Sequence, residues 1–132
     1  MTEQQISHQS GWFFVAAELS RRGYRLSIPQ GKVLPAKISV SLSGGRKITV
    51  EVRAVLKEGS SWLFGEVSDD RNTYFVLVAG IREEILTQPK YWVLRSSVVK
   101  NILDQKAREG KTPQILKSEV HGHEDAWDIL LS

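Results

Sequence analysis

The chain has 132 residues, 41% of them apolar, enough for one domain to bury a core of its own without staples. It contains no cysteine, which excludes a disulfide framework, a thiolate metal site and a cysteine nucleophile. A formal net charge of +3 is compatible with a polyanionic partner but falls well short of a protein built to coat DNA.

Residues 1–10 read as a polar segment with no signal-like apolar stretch, and no apolar run approaches the roughly 20 residues of a membrane span. A cytoplasmic location and no membrane partner are therefore expected. Ser10 is a candidate N-cap; Trp12, Val15, Ala16 and Leu19 follow at i, i+3, i+4 and i+7, and Gly23 supplies a stop, so the spacing predicts a helix over Gly11–Arg22. Glu18 lies on the flank of its apolar stripe, and Arg21 and Arg22 load the last turn, where cations favour the dipole. Tyr24–Ile28 reads as a short strand and Pro29-Gln30-Gly31-Lys32 as a turn.

Lys37–Arg53 has the alternation of two strands joined by a glycine turn. Pairing Leu42 with Ile48, Val40 with Val50 and Ile38 with Val52 brings the apolar faces together around a Gly44-Gly45-Arg46 loop, because a slip of one residue would turn one apolar set toward water. The same register gathers Lys37, Ser39, Ser41, Thr49, Glu51 and Arg53 on the opposite, polar face, which is the candidate site.

Turn signals follow at Lys57–Ser61 and Ser68–Asn72, flanking Trp62-Leu63-Phe64, with Trp62 placed to cap the core. Thr73–Ala79 is a continuous apolar run, as expected of a central strand covered on both faces, and Tyr91–Leu94 reads as another strand. Ser96 or Ser97 can cap a helix carrying Val98, Val99, Ile102 and Leu103 that stops at Gly110. The core thus spans 11–110, and a tail from 111 to 132 should dock through Trp127 and the apolar residues after it.

The helix Gly-Trp-Phe-Phe-Val-Ala-Ala-Glu-Leu-Ser-Arg-Arg-Gly-Tyr, the hairpin ending Val-Glu-Val-Arg, Tyr-Phe-Val-Leu-Val, Tyr-Trp-Val-Leu-Arg-Ser and the closing Ala-Trp-Asp-Ile-Leu together resemble the small bacterial PD-(D/E)XK nuclease-like proteins. The likeness runs from Gly11 to Leu131. It implies a single α/β domain with a restriction-endonuclease-like mixed sheet flanked by helices. By that resemblance Glu18, Glu51 and Arg53 occupy the helix Glu and strand Glu-x-Lys positions of the catalytic motif, Arg53 replacing the lysine. The motif Asp is missing: its counterpart is Ala36 or, by strand parity, Lys37.

A hard cation such as Mg²⁺ needs oxygen ligands, and Glu51 alone is a poor cage. In the expected register Lys37 lies across from Arg53, and two like charges about 5 Å apart repel by roughly 3 kcal/mol at an effective dielectric near 20. Arginine in place of lysine also matters, because a guanidinium stays protonated and forks onto phosphate or carboxylate oxygens. The site therefore reads as a degenerate nuclease converted to a non-catalytic nucleic-acid-binding module, with Lys37, Arg46, Lys47 and Arg53 on phosphate and with no cofactor or metal. The alternatives are a protein-binding or regulatory subunit, in a bacterial or phage defence or mobile-element setting that only the resemblance suggests, and an active Mg²⁺-dependent nuclease with a relocated ligand at Asp69 or Glu66. The bland reading of the face is a Glu51 to Arg53 or Lys37 to Glu51 ion pair on an exposed sheet.

Other chemistry has less support. His121-Gly122-His123-Glu124-Asp125 has chelating residue types, but its i, i+2 spacing suits a metal only in an extended segment with a fixed partner. There is no Gly-x-Ser-x-Gly elbow and no glycine-rich phosphate loop. Lys100, Lys106, Arg108, Lys111 and Lys117 make the region after the last strand basic, as a solvated helix face or as a track for nucleic acid.

Overall fold

The computed structural model describes residues 1–31, 34–57, 59, 61–82 and 88–131. Helix α1 spans Glu3–Arg21, well before the expected start at Gly11. A capping box explains the early start: the Thr2 side chain accepts from the Gln5 amide at 3.1 Å, and the Gln5 side chain accepts from the Thr2 amide at 2.8 Å. Ser10 is therefore interior to the helix and not its cap. The polar first turns need little burial, and Ser7 and Gly11 are where this part of the helix meets the body.

Five strands form the main sheet: β1 (Arg25–Leu26), β2 (Lys37–Ser41), β3 (Lys47–Ala54), β5 (Thr73–Ala79) and β6 (Lys90–Arg95), in the order β1-β2-β3-β5-β6. The β3–β5 pair is parallel and the others antiparallel, so the sheet is mixed, with β5 between two neighbours and buried on both faces. Strand β4 (Trp62–Leu63) lies in the crossover from β3 to β5 and pairs with β7 (Gln114–Ile115) in a separate two-stranded sheet. Helix α2 (Ser96–Arg108) follows β6 directly. The protein is a single small α/β domain with a mixed sheet and two α-helices among the described residues. None of these helices is long and apolar enough to cross a membrane.

The hairpin register is displaced by two residues from the expected one. Ile38 pairs with Val50 and Val40 with Ile48, and the loop is Ser43-Gly44-Gly45, closed by the Leu42 amide on the Arg46 carbonyl at 2.7 Å. A three-residue hairpin loop ends on a residue in the left-handed region. The expected loop would have placed Arg46 there, whereas the observed one places Gly45 there, at φ 81°. A shift of two preserves the faces, so the polar set stays together, but each side chain acquires a new partner.

Two cores lie on the two sides of the sheet. Trp12, Val15 and Leu19 of α1 pack on Ile38, Val40, Ile48, Val50, Tyr74, Val76 and Val93, joined by Trp127 and Leu130 of the tail. On the other side Val99 and Leu103 of α2 cover Phe75, Leu77, Trp92 and Leu94, together with Trp62, Phe64 and Ile115. Trp62 caps this second core, its indole N–H donating to the Val78 carbonyl at 3.0 Å. Ser96 opens α2 without capping it: its hydroxyl bonds both the amide and the carbonyl of Asp70, pinning the loop before β5. Gly110, at φ 68°, ends that helix.

The tail is not loose around its histidines. The Val93 amide donates to the His123 carbonyl at 3.0 Å and the Asp125 amide to the Tyr91 carbonyl at 2.9 Å, so residues 123–125 cover the outer edge of β6. Trp127 is buried, its ring edge-on to Tyr91 at 5.4 Å and beneath the Arg22 guanidinium at 5.0 Å.

Candidate functional site

Helix α2 covers the β5–β6 half of its face and leaves the β1–β3 half polar. Strand register sets its side chains in rows: Arg25, Ser41 and Lys47 in one, Ser39 and Thr49 in the next, then Lys37 and Glu51, with Arg53 beyond. Arg25, Lys37, Ser39 and Lys47 are exposed; Ser41, Thr49, Glu51 and Arg53 are half-buried. Four cations thus share a hydroxyl-lined floor with one carboxylate. Arg25 was not among the residues singled out from sequence, although the β1–β2 pairing gives it the parity of Ser41.

Lys37 lies opposite Glu51, with Arg53 its diagonal neighbour, so the two cations are not directly opposed and a carboxylate stands against Lys37. Arg53 is held in place: its Nη2 lies 3.5 Å from Glu51 Oε1, its Nη1 donates to the Val52 carbonyl at 3.2 Å, and its guanidinium stacks over the rings of Phe64 and Phe75 at 5.6 and 5.5 Å. With 28% of its side chain exposed and 17% of that of Glu51, the pair retains an outward edge. Each ring contact is worth about 0.5–2 kcal/mol, more than the loose ion pair. The seam between the polar floor and the α2-side core therefore positions Arg53.

Two expected members of the site lie elsewhere. Glu18 belongs to α1, whose core is on the opposite side of the sheet, and its carboxylate is engaged by Arg21 at 3.0 Å and Arg22 at 3.1 Å. Arg46, with the parity of the α1 face, donates to the Tyr74 hydroxyl at 3.3 Å, where Arg95 also donates at 3.4 Å. The basic run after β6 is largely tied up in ion pairs: Lys100 with Asp104 at 2.8 Å, Lys111 with Glu109 at 2.8 Å and the buried Lys106 with Glu119 at 2.6 Å. Of these pairs Lys106–Glu119 joins α2 to the tail, and the other two are local.

Glu51 is a single carboxylate already engaged by a guanidinium, and among the described residues no three His, Asp or Glu side chains are grouped to hold a metal ion. This donor set does not fit Mg²⁺. Asp69 and Glu66, the possible relocated ligands, lie near enough to Lys100 to help hold its ammonium above the usual range, behind the larger contributions of Asp104.

At the carboxyl end of β3, where the parallel pair β3–β5 ends, there is a cleft of about 480 Å³ between the first two turns of α1 and residues 36, 52–57 and 61–63. Arg53 lines it and also belongs to the polar floor. The sequence contained no signal for this cleft, because it joins segments distant along the chain. No family model, curated protein or solved structure matches the chain.

Proposed function

We propose that this protein is a non-catalytic nucleic-acid-binding module on a PD-(D/E)XK-like sheet. The observation that carries the reading is the half of the sheet face left open by α2, where Arg25, Lys37, Lys47 and Arg53 surround one carboxylate and Ser39, Ser41 and Thr49 supply hydroxyls. Lysine and arginine on such a floor neutralise phosphates, and hydroxyls add hydrogen bonds that fix the backbone without reading sequence. The order of helix, hairpin and Glu51-x-Arg53 strand supports the nuclease-like ancestry. The Arg53 guanidinium, held by two rings 3.5 Å from Glu51, supports a loss of metal-dependent chemistry, since its fixed positive charge repels a divalent ion there.

The test has two parts. Purified protein should bind DNA or RNA with strong salt dependence, and with millimolar Mg²⁺ or Mn²⁺ it should cleave neither above a Glu51→Ala control. Absence of salt-dependent binding to either polymer rejects the phosphate role and leaves a protein-binding module as the better reading. Metal-dependent nicking abolished by Glu51→Ala overturns the non-catalytic reading.

A further inference from the structure

We infer that the basic floor takes double-stranded RNA, laid with its minor groove across the sheet. The inference rests on the phosphate reading above and adds to it the class of polymer.

A single strand finds nothing on this face beyond partners for its phosphates. Binding of single strands combines a cationic path with exposed rings on which bases stack. The outward side chains of the floor are cations, hydroxyls and Glu51, and the rings at its border, Phe64 and Phe75, are buried beneath the Arg53 guanidinium. Phe13 is the one exposed side chain among the Phe, Tyr and Trp residues, and it belongs to α1 on the other side of the sheet.

The cations are arranged in two pairs. Arg25 and Lys47 flank Ser41 in one row, whereas Lys37 and Arg53 stand four and six residues further along β3, about 13–20 Å away at the usual rise of a strand. Between the pairs lies the uncharged Ser39–Thr49 row. Two backbones bordering one groove fit this pattern, each meeting one pair, with the hydroxyl row facing the groove. One strand running along the same line would lay its middle phosphates over the uncharged row.

Groove shape then selects the duplex. The grooves of B-DNA are about 7.5–8.5 Å deep, beyond the reach of Ser and Thr side chains on a sheet face. The minor groove of an A-form helix is wide and shallow and displays 2′-hydroxyls, each a donor and an acceptor, as Ser and Thr hydroxyls also are. Ser39 is exposed and Thr49 half-buried, and among the described residues neither hydroxyl has a protein partner, so both are open to such contacts.

The test compares labelled RNA and DNA duplexes of one sequence and length, and one RNA strand alone, by fluorescence anisotropy at a single salt concentration. Wild-type protein should bind the RNA duplex roughly 5- to 100-fold more tightly than the DNA duplex, from two hydroxyl contacts each contributing about 2- to 12-fold. It should also bind the RNA duplex more tightly than the single strand. Ser39→Ala with Thr49→Val keeps charge and nearly keeps shape, so this variant should fold and lower the RNA-to-DNA ratio toward one. A DNA duplex or a single strand bound as tightly as the RNA duplex, or an undiminished ratio in the folded variant, overturns this inference while the phosphate reading stands. Failure to bind any of the three overturns both.

Discussion

Neutralising Lys37 and Lys47 together should remove half of the cations on the open floor. Gln is a better replacement than Glu, because a carboxylate at position 37 would stand directly opposite Glu51, and like charges in register destabilise a strand pair. Both lysines are exposed, so Lys37→Gln with Lys47→Gln should change stability by no more than about 0.5 kcal/mol. Each phosphate contact contributes about −0.7 on a single strand or −0.9 on a duplex to the slope of log affinity against log salt, so four engaged cations give about −2.8 to −3.6. Between about 50 and 200 mM salt, wild-type affinity should then fall about 50- to 150-fold, and that of the double variant only about 7- to 12-fold. Fluorescence anisotropy titrations at a series of salt concentrations read both slopes. An unchanged slope in a folded double variant would refute the assignment of these lysines to phosphate.

Arg53→Glu should destabilise by about 1–3 kcal/mol, since it removes the stack on Phe64 and Phe75 and sets a second carboxylate beside Glu51; a urea midpoint equal to wild type would show that the clamp contributes nothing. Gly11→Ala should cost about 1–3 kcal/mol, because a Cβ there would lie 2.4 Å from that of Ala54, and adding Ala54→Gly should recover much of the loss in the same assay. At Glu119, burial pushes the carboxyl up, but hydrogen bonds from Lys106 and the Leu116 amide, with the Lys106 and Lys111 charges, outweigh it and hold the group below its usual range. Glu119→Gln should therefore cost about 1–3 kcal/mol at neutral pH by leaving the buried Lys106 unpaired. Because the folded value is depressed, this contribution is present above the unfolded carboxyl value of about 4.3 and is lost as pH falls through the folded one. A wild-type-to-variant difference that grows on acidification would contradict the sign.

Much of the fold was legible because apolar periodicity states which side of an element faces inward. The stripe of Trp12, Val15, Ala16 and Leu19 located α1, and the unbroken run from Thr73 to Ala79 marked a strand buried on both faces. What that signal omits is anything held by polar local chemistry. The first turns of α1 carry almost no apolar pattern, so their helix depends on the Thr2–Gln5 capping box, a motif that lay outside the expected helix. The parallel pairing of β3 with β5 was equally hidden, since the described residues of the crossover between them contain a two-residue strand in place of a helix. Phe75 shows the same limit at the site: within a doubly buried strand, alternation does not say which side a ring faces, so the stack under Arg53 could not be anticipated.

The hairpin separates what sequence settles about the site from what it leaves open. A period of two fixes parity, so Lys37, Glu51 and Arg53 had to share a face under either register. Parity does not distinguish registers two residues apart, and the conformational demand of the loop, met by Gly45, chose between them. Arguments about one pair are therefore fragile: the direct opposition of Lys37 and Arg53 gave way to a diagonal one once Lys37 was placed opposite Glu51. Arguments about the whole face survive, because its membership is independent of the slip. The proposed phosphate role depends on face membership, on four cations around one carboxylate, and the β1–β2 pairing strengthened it by adding Arg25. The case against metal now rests on a different contact, the positive guanidinium held 3.5 Å from Glu51, and this one depends on the position of Phe75 beside β3 and not on the register of the hairpin.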